Sequence, residues 1–277
     1  MNKNLLDLSG KISQVFIDVY DIVDRISNEL NIPLCVIGAT ARDLILIEGY
    51  GQDIRRGTLD IDLAVSVPDW EMYEELSSRL IATGRFIPSS SVQRLLYEGD
   101  EHLPLDIVPF GFNEKSSQIS WPPNHEVTMS ILGFEEAMES SLKVRLRSEP
   151  NLDISVVSPA GLTMLKLVAW SDRRSQSNKD AIDLDYLMKT YMDAGNSDRL
   201  YGQESDLLDE DFDYVRSGAR LLGRDVARLS TPKIKQVLLA ILNDDRLAED
   251  MMKGNHADFF DEKNLLLGAL KKGVEET

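Results

Sequence analysis

Leu59-Asp60-Ile61-Asp62-Leu63-Ala64-Val65 is the stretch on which the fold turns. In a β-strand, residues two apart share a face. Asp60 and Asp62 then project together, while Ile61, Leu63 and Val65 line the opposite side. Two neighbouring carboxylates repel and shift each other's titration unless a cation lies between them. Oxygen ligands at this spacing suit magnesium, which takes one or two carboxylates together with substrate phosphate oxygens. An amphipathic strand with a solvated acidic edge has the same pattern, so the pair alone leaves both readings open.

Downstream, Leu105-Asp106-Ile107-Val108 is a second apolar strand carrying one carboxylate. Aspartate is depleted in strands and costly where buried, which argues for a purpose. Set beside the first strand, Asp106 would complete a nest of three carboxylates. Two divalent ions about 3.5–4 Å apart could then clamp the attacking and leaving oxygens of a phosphoryl displacement. Asp106 would be the acceptor for the proton of the attacking hydroxyl. Upstream, Ile37-Gly38-Ala39-Thr40-Ala41-Arg42-Asp43 reads as strand, glycine, small residues and helix. Small side chains let backbone N–H groups approach a phosphate at a helix start. The Thr40 hydroxyl could donate to a phosphate oxygen, and Arg42 could contact a triphosphate or pair with a nearby acid.

The periodicity around these motifs predicts a mixed α/β (α+β) sheet core flanked by helices over residues 1–157. A helix is expected from about Leu5 to Leu30, where Ile12, Val15, Phe16, Val19, Ile22, Val23 and Ile26 recur at three- and four-residue steps. Strands are expected at Leu34–Ile37, Leu59–Val67, Arg94–Tyr97 and Pro104–Pro109, and onward to about Val157. Helices are expected at Ala39–Ile47 and Glu71–Thr83. Ser158-Pro159, a capping hydroxyl with proline at the first helical position, opens a mostly helical region over residues 158–277. There Glu204–Asp213 reads as an exposed connection, Thr231-Pro232 as a further helix start, and the tail beyond Gly273 as frayed.

The formal net charge is −17, which excludes a protein whose main task is a non-specific grip on nucleic acid. Lys143, Arg145 and Arg147 alternate as on a solvated strand face. No stretch approaches the roughly 18–20 apolar residues that cross a bilayer, and the amino terminus has no leader-like apolar block. The single cysteine, Cys35, sits in an apolar run and reads as a buried, inert thiol. Together these predict a cytoplasmic protein without membrane partners. His102, His125 and His256 show no metal-ligand spacing. There is no nucleophile elbow and no Walker-type loop. Trp121-Pro122-Pro123 reads as a stiff loop, packed as a turn or lining a pocket.

The glycine-plus-small-residue turn, Asp60-x-Asp62 and a third Asp106 on its own strand, in this order, resemble the DNA polymerase beta type nucleotidyltransferase superfamily. Within it the chain resembles the AbiEii/AbiGii toxin-like nucleotidyltransferases. The segment Leu165-Lys166-Leu167-Val168-Ala169-Trp170, then Asp172-Arg173-Arg174, then Lys179-Asp180-Ala181-Ile182-Asp183-Leu184 carries that narrower likeness. The motifs span about residues 34 to 190. The turn departs from the pattern in having Gly38-Ala39 where many members have Gly-Gly or Gly-Ser. Its continuation, Ala41-Arg42-Asp43-Leu44-Ile45-Leu46, is similar to the start of tRNA CCA-adding enzymes.

The resemblance implies that Asp60, Asp62 and Asp106 hold two Mg2+ ions, with Mn2+ as a substitute. It implies that Gly38, Ala39, Thr40 and Arg42, with Lys166, Arg173 and Lys179, bind an NTP (ATP, GTP or CTP). Asp180 and Asp183 would orient those cations or help activate the acceptor. The expected reaction moves an NMP from the NTP to a hydroxyl on an RNA, tRNA or protein acceptor. A toxin role with an antitoxin partner is expected from the same likeness. The alternatives are transfer to a small molecule such as an antibiotic, which the acidic surface favours, and a nucleotide-binding module without turnover.

Overall fold

The computed structural model describes residues 5–53, 60–99, 102–112, 117–208, 212–252 and 260–277. The chain divides into two compact units, Met1–Ser158 and Pro159–Thr277.

The first unit opens with β1 (Leu5–Asp7), α1 (Gln14–Leu30), β2 (Leu34–Ile37) and a five-residue α2 (Gly38–Arg42), which runs into a π-helical turn at Asp43–Gly49. Then come β3 (Ile61–Ser66), α3 (Trp70–Ala82), β4 (Phe86–Pro88), β5 (Arg94–Tyr97) and β6 (Leu103–Phe110). The unit closes with β7 (Gln118–Ser120), β8 (Thr128–Ser130), α4 (Phe134–Glu139), β9 (Leu142–Arg147) and β10 (Leu152–Val156). Eight strands form one mixed sheet in the order β1-β9-β10-β2-β3-β6-β5-β4, and β7 and β8 form a separate ribbon.

Two features depart from the sequence reading. Leu5–Asp7 is not the first turn of a helix; it pairs in parallel with Lys143–Arg145 of β9. The helical periodicity that begins at Ile12 does not reach back across Gly10, whose φ is +80°. A short helix, α4, interrupts the expected run of strands. Leu59, the start of the expected second strand, lies outside the described residues.

The sheet's centre follows from side-chain alternation. In β3, Ile61, Leu63 and Val65 are buried while Asp62 is only half-buried. In β6, Leu103, Leu105 and Ile107 are buried and Pro104 and Asp106 are half-buried. A one-residue slip of either strand would expose its whole apolar face, so the register is strongly fixed. β2 and β3 are antiparallel, with Ile37 opposite Asp62. β3 and β6 are parallel, with Asp62 opposite Asp106. The parallel pair requires a crossover, supplied by α3, whose amino terminus is capped by the Asp69 carboxylate accepting from Met72 N–H at 2.9 Å. The β9 cations are satisfied locally: Arg145 grips Asp153 at 2.7 Å and Arg147 pairs with Asp21. Trp121 packs against Trp70 and Tyr73.

The second unit holds α5 (Pro159–Arg173), α6 (Lys179–Thr190), α7 (Tyr214–Leu229), α8 (Pro232–Leu242), α9 (Arg246–Met252) and α10 (Phe260–Glu276). Trp170, Leu184, Leu222, Leu238 and Leu270 fill its core. α7 and α10 meet backbone to backbone through glycines. A Cβ on Gly223 would lie 2.1 Å from the Leu270 carbonyl oxygen, and one on Gly273 would lie 2.0 Å from that of Arg220.

Two expectations are corrected here. The tail beyond Gly273 is helical to Glu276 and buries Val274, because Glu276 is gripped by Arg220 and by Arg224 at 2.8 Å. The acidic connection is not simply solvated: Glu204 is buried and bonded by Arg224 at 2.6 Å and Arg228 at 2.8 Å. Residues 209–211 within it lie outside the described residues. No described helix is long and apolar enough to cross a membrane.

Candidate active site

Asp60 immediately precedes β3, Asp62 is its second residue, and Asp106 lies directly across the ladder from Asp62. Residues paired across a ladder share a face, as do residues two apart along a strand, so register alone gathers the three carboxylates. Ligand oxygens of Asp60, Asp62 and Asp106 all fall within 4.8 Å of one another. The remaining half of β3 faces the core, so this end of the strand carries charge on one face and apolar contact on the other.

Gly38 makes the arrangement possible. Its φ is +68°, and a Cβ there would stand 2.1 Å from Asp62 Oδ2 and 2.6 Å from its Cγ. The Asp62 carboxylate therefore fills the space that any other residue would need. Thr40 is buried, and its hydroxyl donates to the Asp60 carbonyl oxygen at 2.6 Å. That bond ties α2 to the residue leading into β3 and uses the proton that the sequence assigned to a phosphate. Ala39 is buried beside it. Arg42 is also buried, and its guanidinium donates to Asp43 at 2.6–2.8 Å. Of the two roles the sequence left open for Arg42, pairing with a nearby acid is the one seen.

Arg94 is the site residue that the motifs missed. It begins β5 and lies opposite Asp106 in the antiparallel β5–β6 ladder. Its Nε and Nη2 donate to the two Asp106 oxygens at 2.6 and 2.7 Å, and Nη2 lies 3.8 Å from Asp60 Oδ2. These hydrogen bonds, with the charges of Asp106, Asp60 and Asp62, hold the guanidinium even further above its usual range despite partial burial. The clue was available: Arg94-Leu95-Leu96-Tyr97 and the Asp106 segment read as consecutive strands, but only the register sets arginine against aspartate.

Tyr20, on α1, was likewise missed. Its hydroxyl is buried without a hydrogen-bond partner among the described residues. Burial, with Asp62's negative charge added, pushes the phenol well above its ordinary range.

The donor set fits a hard divalent cation. Three carboxylates converge on one face, their two strands are fixed by register, and glycine leaves room for the middle one.

The helical motif residues gather in the second unit, in a cluster of their own. Lys166 on α5 is buried, with Nζ 2.9 Å from Asp180 and 2.8 Å from Asp183 on α6. Arg173 adds two hydrogen bonds to Asp180, at 2.7 and 2.8 Å. The resemblance implies a Lys166 that reaches a triphosphate; its ammonium instead lies between two buried carboxylates. Burial alone would lower the Lys166 pKa, but the Asp183 and Asp180 charges outweigh it and leave it raised. Burial likewise pushes the Asp180 carboxyl up, and the Arg173 bonds with the Lys166 charge overcome this and hold it low. Arg173 is half-exposed, so it faces solvent from the cluster, and Lys179, the first residue of α6, is exposed.

The family model described as nucleotidyl transferase AbiEii toxin, Type IV TA system, matches residues 21–266. No curated protein matches the chain. Among solved structures, the chain is similar to the antibiotic-resistance factor ANT(2'')-Ia, at 15% identity and a TM-score of 0.37 over 71% of this chain and 96% of that one. It is similar to a CCA-adding enzyme in complex with ATP, at 14% identity and a TM-score of 0.35 over 91% of this chain and 66% of that one. JHP933 from Helicobacter pylori matches at 15% identity and a TM-score of 0.32 over 96% of this chain and 94% of that one.

Proposed function

We infer the reaction from one premise: the chain belongs to the AbiEii nucleotidyl transferase family. The proposed reaction transfers an NMP from an NTP to a hydroxyl on an RNA, tRNA or protein acceptor in the cytoplasm, as the toxin of a toxin–antitoxin pair. The observation that carries the site is the convergence of Asp60, Asp62 and Asp106 within 4.8 Å. Asp60, Asp62 and Asp106 would together hold the divalent cations, taken as Mg2+. Divalent cations bound there would supply charge neutralisation for the triphosphate and the attacking oxygen.

The chain's own residues do the rest by positioning, which carries most of the work in phosphoryl transfer. Gly38 keeps the backbone low enough for the Asp62 carboxylate to reach the face it shares with Asp106. Backbone N–H groups of the Gly38-Ala39 turn would approach the phosphates, with Thr40 fixing that turn to Asp60. Asp106 would take the proton of the acceptor hydroxyl. Arg173 and Lys179 are the solvent-facing cations assigned to the nucleotide. Lys166, Asp180 and Asp183 would position Arg173.

The test incubates the full chain with Mg2+ and each α-labelled NTP, offering total RNA, tRNA, protein extract and a panel of hydroxylated antibiotics in parallel. Label should pass to one acceptor class with the wild type and fall at least about 100-fold with Asp62→Asn. Equal labelling by the two proteins would refute the assigned role. Label on the antibiotic alone would replace the macromolecular acceptor with a small molecule.

A further inference from the structure

We propose that Arg94 is a positioning residue that makes divalent-cation loading at the three-aspartate site depend on the nucleotide. The proposal rests on the reading of Asp60, Asp62 and Asp106 as cation ligands and adds a residue that the sequence motifs do not contain.

The geometry is specific. Arg94 stands opposite Asp106 in the β5–β6 ladder, so its backbone is fixed by the same sheet that fixes the carboxylates. Its planar fork engages both Asp106 oxygens, the geometry in which arginine and carboxylate bind most strongly. The same guanidinium is 3.8 Å from Asp60 Oδ2. It therefore offsets charge on two of the three acids. Only about a third of its side chain is exposed, which limits how far water can screen it.

A divalent ion that shares Asp106 must approach this fixed positive charge. For charges of +2 and +1 about 5 Å apart, even the dielectric of bulk water leaves a repulsion equivalent to roughly a tenfold loss of affinity. A triphosphate brings several negative charges to the same face and offsets that repulsion. Arg94 then has an alternative anionic partner, while Asp106 is released to the cation. Cation and nucleotide thus each improve the other's affinity, a reciprocal coupling required by linkage.

The measurement is Mn2+ binding to the full chain, read by electron paramagnetic resonance, with and without a non-hydrolysable α,β-methylene NTP. Wild type should bind Mn2+ weakly alone and at least about tenfold more tightly with the analogue. Arg94→Met should bind Mn2+ alone about tenfold more tightly than wild type and gain correspondingly less from the analogue. Arg94→Lys, which keeps the charge but loses the fork, should stay within about threefold of wild type without nucleotide. Arg94→Gln replaces the methionine variant if melting shows the latter unfolded. Nucleotide-free Mn2+ affinity in Arg94→Met equal to or weaker than wild type overturns the proposal. Asp62→Asn separates the two layers. If it leaves analogue-dependent Mn2+ binding intact, the aspartate site itself is wrong and the proposal falls with it. If it abolishes that binding while Arg94→Met matches wild type, only the role of Arg94 is refuted.

Discussion

Replacing Gly38 with alanine separates backbone strain from damage to the site. At a φ of +68° an L-residue is destabilised by roughly 1–2 kcal/mol. In a unit of this size that lowers Tm by about 2–8 °C. The second effect is local. The new Cβ would sit 2.1 Å from Asp62 Oδ2, whereas real Cβ contacts essentially never fall below 3.0 Å, so the carboxylate must retreat by about 0.9 Å. Catalytic geometry tolerates roughly 0.5 Å, and a misplacement near 1 Å costs about 100-fold in rate. Gly84 provides the control, because its φ is +69° and nothing lies within 4 Å of a Cβ built there. Gly84→Ala should lose comparable stability and keep its transferase activity. Melting curves and labelled-nucleotide transfer, measured at a temperature where both variants are folded, give the comparison. If Gly38→Ala transfers within threefold of Gly84→Ala, the close approach to Asp62 does not matter to the chemistry and the argument fails.

Asp180→Ala should destabilise the chain by about 3–5 kcal/mol in urea unfolding, since it takes a buried partner from both Lys166 and Arg173; a loss below 1 kcal/mol would show that the cluster is not held by this carboxylate. The Asp180 carboxyl is held low in the folded state, so its contribution is complete above the unfolded value near 3.9 and is lost as pH falls through the folded one. Lys166 is raised, so its contribution is complete below an unfolded value near 10.4 and is lost as pH rises beyond the folded one. The cluster's contribution to the urea midpoint should therefore be flat from about pH 5 to 9 and drop at both ends, with a shallower acid side in Asp180→Asn; an unchanged acid slope in that variant would contradict the assignment. Gly223→Ala should cost at least about 1–3 kcal/mol by forcing α7 away from the Leu270 carbonyl, and a wild-type Tm would mean that the two helices do not cross this closely.

Local composition was enough to place most of the elements. The alternation of Ile61, Leu63 and Val65 with Asp62 reads as a strand in isolation, and Thr231-Pro232 reads as a helix start because its cap, Thr231 accepting from Ile234 N–H, lies three residues away in sequence. The two paired aspartates were legible for the same reason: their common face follows from strand periodicity alone. What the sequence could not contain was register. Asp106 joins Asp62 because β3 and β6 align in parallel with those residues opposed, and Arg94 reaches Asp106 because β5 aligns antiparallel on the other side. Both alignments are set by burial across the whole sheet.

Long-range packing also decided the outcomes that periodicity missed. Leu5–Asp7 became a strand because β9 offered it an edge, and the carboxy-terminal turn stayed helical because Arg220 and Arg224 hold Glu276. The resemblance gives Lys166 to the nucleotide, yet α6 brings two aspartates to it and buries all three. The sequence by itself thus determined most of the elements and which faces carry acid, since those depend on neighbours within a few residues. Which charges meet was decided only when distant segments competed for the same buried area.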